Sequence, residues 1–148
     1  MTKSELIISA GKLQQPSTDT VLEYEEKREE FVSEMNEKML SRSDLAMLVG
    51  EENKSMMEDN HINHARFMSS VFAEYQPEVL VETIIWVFRT YRSHGFNLAY
   101  WPAQLNQWIE IYKTNLSDKS YNEIYPFYNW IIENQSSFSE LSDIEVSD

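Results

Sequence analysis

The sequence predicts an all-α protein, with five or six helices forming a bundle or globin-like packing around a central buried helix at residues 77–94. Three observations carry this. Glycine (3) and proline (4) are scarce across 148 residues, so little of the chain is punctuated. Apolar residues recur at steps of three and four, and strand-like alternation is absent. The segment PEVLVETIIWVFRTYRSHG, Pro77 to Gly95, is apolar from Val79 to Phe88 apart from Glu82 and Thr83. A helix that is apolar on nearly every side belongs inside a domain.

Composition sets the bounds. With 42% hydrophobic and 13% aromatic residues, the chain can build one domain with a real core. It has no cysteine, which removes disulfides, thiolate metal sites and a cysteine nucleophile, and fits a reducing compartment. No basic leader precedes a long apolar run and no apolar run reaches a membrane span, so a cytoplasmic protein without membrane contact is expected. The net charge of -13 repels phosphate backbones and argues against nucleic acid as a partner.

Residues 1–18 are weakly periodic and end in QQPST. They read as a flexible N-terminal arm with room for one short docked helix. A single helical domain is expected over residues 19–135. Thr18 or Asp19 caps its first helix, which runs to about Leu40 with Val21, Tyr24, Phe31, Val32, Met35 and Met39 on one face and glutamates on the other. LAMLV follows as a short helix stopped by Gly50. The next helix spans Asn53 to Tyr75, with Met57, His61, His64, Met68, Val71, Phe72 and Tyr75 on one stripe. Pro77 suits the first position of the apolar helix, and Gly95 its stop. Pro102 opens a helix with Trp101, Leu105, Trp108, Ile109, Tyr112 and Leu116 in phase. Ser117 caps a last helix carrying Tyr121, Ile124, Tyr125, Tyr128, Ile131 and Ile132. Pro126 inside it is expected to produce a kink, because no N–H remains for the carbonyl of Asn122. Residues 136–148, rich in serine and acids without a base, read as a mobile acidic tail. The apolar residues in it leave open a short segment that orders on a partner.

Three constellations are candidates for chemistry. Glu58, His61 and His64, three apart on one helix, have the donor types of a mononuclear Zn²⁺ or Fe²⁺ site, or of a His-ligated haem. The competing reading places both histidines at a core boundary, hydrogen-bonded to neighbours. Arg89, Arg92 and His94 can clamp an anionic group with forked donors. They also suit the end of a helix electrostatically, with acids to pair with. Finally Trp86, Phe88, Tyr91, Phe96, Tyr100, Trp101, Trp108 and Tyr112 form an aromatic belt. Trp86 and Trp108 read as core, while Tyr100 and Trp101, at a loop-to-helix junction, are better placed to line a pocket. No G-x-S-x-G and no glycine-rich phosphate loop is present.

Glu82, Trp86, Arg92, Ser93, His94, Gly95, Leu105 and Trp108 carry a pattern: a glutamate, an apolar helix with Trp, Arg-Ser-His-Gly, then a Leu/Trp helix. Over residues 77–134 it resembles the last helices of globin-like or bundle-type sensor modules of bacterial regulators, such as non-haem stressosome globins and the helical domains beside cobalamin-binding modules. The resemblance implies a module that senses rather than catalyses, in some cases with an empty cofactor pocket.

The expected function is therefore a non-enzymatic bacterial regulatory or sensory module. It would bind a small hydrophobic or aromatic ligand, or a protein partner, using Arg89, Arg92, His94, Tyr100, Trp101 and Trp108. No cofactor is expected on this reading. The alternatives are a haem or single-metal protein using Glu58, His61 and His64, and an acidic protein-interaction module, with a homodimer as one arrangement.

Overall fold

Side-chain caps start three of the helices. Thr2 Oγ1 accepts from the backbone N–H of Glu5, and the Glu5 carboxylate accepts from Thr2 N–H in return. Ser17 Oγ accepts from Thr20 N–H, and Ser117 Oγ from Ser120 N–H. The second cap, Ser17, lies one residue ahead of Thr18 and two ahead of Asp19, the expected positions. Ser17 is also anchored by its own N–H, which donates to Glu123 Oε1 at 2.7 Å.

The computed structural model describes residues 1–144. Among them are eight helices and no strand: α1 (Lys3–Ala10), α2 (Thr18–Leu40), α3 (Leu45–Val49), α4 (Lys54–Ala73), α5 (Pro77–Ser93), α6 (Tyr100–Asn115), α7 (Asp118–Glu133) and α8 (Gln135–Ile144). Gly50 and Gly95 follow α3 and α5 with φ of 89° and 94°, a conformation that a side chain would strain. None of these helices is long and apolar enough to cross a membrane.

The organising helix is α2. Its buried face of Tyr24, Phe31, Met35 and Met39 packs among α4, α6 and α7. The sequence reading gave that place to the apolar helix, and the structure corrects it. α5 buries Leu80, Val81, Ile84, Ile85, Phe88 and Tyr91, but leaves Val79 46% and Trp86 58% exposed. It packs closely against α1 and α8. Its apolar residues thus divide into a buried face and an open one, and Trp86 is not a core residue.

Both ends of the chain supply that packing. α1 buries Leu6 and Ala10 completely, so much of the expected arm is a docked helix. α8 falls in the stretch expected to be a mobile tail. Phe138 is fully buried there, 5.9 Å from the Phe88 ring and 5.6 Å from Trp130. Burial of an aromatic ring offsets the chain entropy that the serine-rich composition emphasises. Residues 145–148 of that expected tail lie outside the described residues.

A carboxylate ties the start of α7 to α2. Glu23 accepts from Ser117 N–H at 2.9 Å, Ser117 Oγ at 2.7 Å, Ser120 Oγ at 2.6 Å and Lys27 Nζ at 2.9 Å. Burial pushes its pKa up, but the bonds from Ser120, Lys27 and Ser117 outweigh this and hold it at about 2. Ser117→Ala removes the cap and one of these bonds. It should cost about 1–2 kcal/mol in urea unfolding. Lys119→Ala, which loses only an exposed pair with Asp19, should leave the midpoint unmoved.

Candidate functional site

α5 approaches α4 and α6 less closely along the backbone than it does α1 and α8. Side chains bridge the gap, including Phe88 stacked on Trp101 at 4.8 Å. A cleft of about 230 Å³ remains between the three helices. Its walls are apolar: Phe67 and Met68 from α4, Ile84, Val87 and Phe88 from α5, Trp101 and Leu105 from α6, with Ile131 from α7. Exposed Asn63 and Trp86 stand where it meets solvent. The polar groups on it are Asn60, Asn63, His64, Thr83, Tyr91 and Gln104, and among the described residues no charged side chain lines it. A charged ligand would meet no counter-ion there, whereas a neutral apolar one replaces water along most of the wall.

Two sets of buried hydrogen bonds back this wall. In the first, Tyr24 OH lies 3.4 Å from the Ala65 carbonyl and 3.4 Å from Tyr112 OH. Tyr112 OH is 2.6 Å from Tyr128 OH, which is 2.6 Å from His64 Nε2. The His64 ring stacks on Trp108 with centroids 5.0 Å apart. In the second, His61 Nδ1 donates to Asn36 Oδ1 at 2.6 Å. Asn60 Oδ1 accepts from Tyr100 OH at 2.8 Å and from Gln104 Nε2. Burial lowers the pKa of His61 to about 3, and burial followed by the neighbouring His61 lowers that of His64. Both imidazoles are neutral at pH 7.

The structure separates the residues that the sequence grouped. Trp101 lines the cleft. Tyr100 is fully buried and holds Asn60, a wall residue, by its hydroxyl. Trp108 lies behind the wall, supporting His64. Arg89, Arg92 and His94 are not part of the cleft. Arg89 Nε donates to the Ser142 carbonyl at 3.4 Å and Arg92 Nη2 to the Ser139 carbonyl at 3.3 Å, with Arg92 Nη1 3.1 Å from Asp143. The Ser142 carbonyl lies in the last described turn of α8, a natural place for a cation, and that of Ser139 lies mid-helix. His94 is exposed, and its carbonyl accepts from Asn53 Nδ2 at 2.9 Å.

The alternative metal triad of Glu58, His61 and His64 is not assembled. Among the described residues no three His, Cys, Asp or Glu side chains are grouped to hold a metal ion. His61 and His64 turn their nitrogens to Asn36 and Tyr128, as in the competing core-boundary reading, although these partners come from other helices.

Sequence reasoning missed Asn60 and Gln104 as wall residues. Each is a polar residue inside an apolar stripe, Asn60 between Met57 and His64, Gln104 between Trp101 and Trp108. That interruption was the available signal. Comparison with protein-family models, curated proteins and solved structures finds no match to this chain.

Proposed function

We propose that the protein is a non-enzymatic sensory or regulatory module that binds a small neutral aromatic or hydrophobic ligand in the cleft between α4, α5 and α6. The observation that carries this is the wall itself: apolar over most of its area, free of charge, and backed by a fixed set of buried hydrogen bonds. Such walls bind and orient, and they offer no activated nucleophile. A regulatory role is supported by α5, which borders the cleft and also packs against α1 and α8. A ligand that displaces α5 acts on both. The resemblance of residues 77–134 to sensor modules, with globin-like packing as its finer form, belongs to the same proposal. An anionic ligand held by Arg89 and Arg92 is not part of it.

Neutral aromatics titrated by calorimetry test the site. Leu105→Trp and Ile84→Trp each fill the cleft and should weaken binding at least about tenfold with the circular dichroism spectrum unchanged. Equal affinity in both variants would place the ligand elsewhere.

A further inference from the structure

The chain of hydroxyls behind the cleft has a direction. Each phenol carries one proton and the Ala65 carbonyl can only accept. Tyr24 OH therefore donates to Ala65 O, which leaves Tyr24 to accept from Tyr112. Tyr112, its proton used, accepts from Tyr128, and Tyr128 in turn accepts from His64 Nε2–H. In the opposite sense Tyr128 would donate to Nε2 and Tyr112 to Tyr128. Tyr24 would then have to turn its one proton to Tyr112 and give up Ala65 O, or face Tyr112 with lone pairs only. The arrangement with a proton at every contact has the Nε2–H tautomer of His64 and leaves Nδ1 bare.

Nδ1 has no protein partner among the described residues. It is not sealed in either, since Trp108 Nε1 is the one buried side-chain donor or acceptor there without a partner. His64 is half-buried, and the space it borders is the cleft. On the same face of α4, one turn earlier, Asn60 has its carbonyl oxygen engaged by Tyr100 and Gln104, so its N–H₂ group is the part left to donate, beside the Tyr91 hydroxyl that also lines the cleft.

We infer that the cleft selects aromatic ligands bearing one neutral O–H or N–H donor, phenols above all, whose donor binds His64 Nδ1 and whose oxygen accepts from the Asn60 amide. This rests on the proposed binding function and adds the chemistry that decides among ligands. The preference is set at the far end of the relay, beyond three tyrosines, by the acceptor at Ala65, because reversing any member of the chain costs a hydrogen bond in the core.

Two measurements on the full chain test it. Long-range ¹H–¹⁵N correlation spectra of the free protein should show His64 with a pyridine-like Nδ1 and a protonated Nε2. The reverse assignment overturns the inference without touching the proposed binding function. Calorimetry with phenol, toluene and benzaldehyde, which present a donor, neither group and an acceptor only, should rank phenol about tenfold ahead of the other two. Equal affinities, or benzaldehyde ahead, overturn the inference and leave the binding site standing, while no binding of any of the three overturns both. In Tyr128→Phe the ring is retained and the acceptor for Nε2–H is lost. The advantage of phenol should shrink with toluene affinity unchanged; a full advantage in a folded Tyr128→Phe protein contradicts the relay.

Discussion

Trp108→Ala should lower the melting temperature by about 6–20 °C. The side chain is fully buried and touches both sets of hydrogen bonds: it stacks on His64 at 5.0 Å and on Tyr112 at 5.9 Å, and meets His61 edge-on at 5.9 Å. Removing a core indole costs about 3–5 kcal/mol, transfer and cavity together. For a domain of this size each kcal/mol moves the midpoint by about 2–4 °C. Trp108→Phe should cost much less. It keeps a ring in the stack and deletes a donor, Nε1, that has no partner. Trp86→Ala, on the open face of α5, should shift the midpoint by less than about 2 °C. A small shift in Trp108→Ala would mean that α6 is not seated on the histidine wall.

Acid should unfold the protein earlier than its carboxylates alone require. His61 titrates near its ordinary 6.5 in the unfolded chain and at about 3 in the folded one. Between these values the unfolded state binds the extra proton, so stability rises with pH. The contribution of His61 is fully present above pH 6.5 and is lost progressively as pH falls toward 3. At pH 4 the loss is on the order of 3 kcal/mol. His64 is shifted in the same direction and adds to it. The groups around His61, namely Asn36, Tyr100 and Trp108, are uncharged at these pH values, so no carboxylate compensates the proton. Glu23 adds a lower step. Its contribution is present above its ordinary 4.5 and fades as pH drops toward about 2. Urea midpoints from pH 7.5 to 4 should fall steeply for the natural sequence and less steeply for His61→Gln. Parallel slopes would show that His61 is not buried neutral.

Where one face of a helix was apolar and the other acidic, periodicity was enough. In α2 Tyr24, Phe31, Met35 and Met39 are buried as read, with Val21 and Val32 partly so, and Gly50 and Gly95 both take the positive φ expected of stops. Where both faces were apolar, it was not. α5 carries Ile84 and Phe88 toward the core and leaves Val79 and Trp86 open, and spacing does not say which face a neighbour covers. α8 was hidden for a different reason. Its composition is that of a solvated tail, and Phe138 became an anchor only because α5 and α7 leave a place for it. Missing α8 also misplaced Arg89 and Arg92, whose partners are its carbonyls. The cleft region was legible as a place, through Trp101 and the aromatic belt. Its polar end was not, because Asn60, His64 and Tyr128 meet only when α4 and α7 are packed.

The central claim is that the gap between α4, α5 and α6 is a ligand site. Its most direct test is a titration of the isotopically labelled protein with phenol, followed by ¹H–¹³C and ¹H–¹⁵N correlation spectra. Saturable shifts should concentrate on Ile84, Leu105, Met68, the Trp101 indole and the His64 ring. Shifts that do not saturate, or that gather away from these residues while they stay still, would contradict the account.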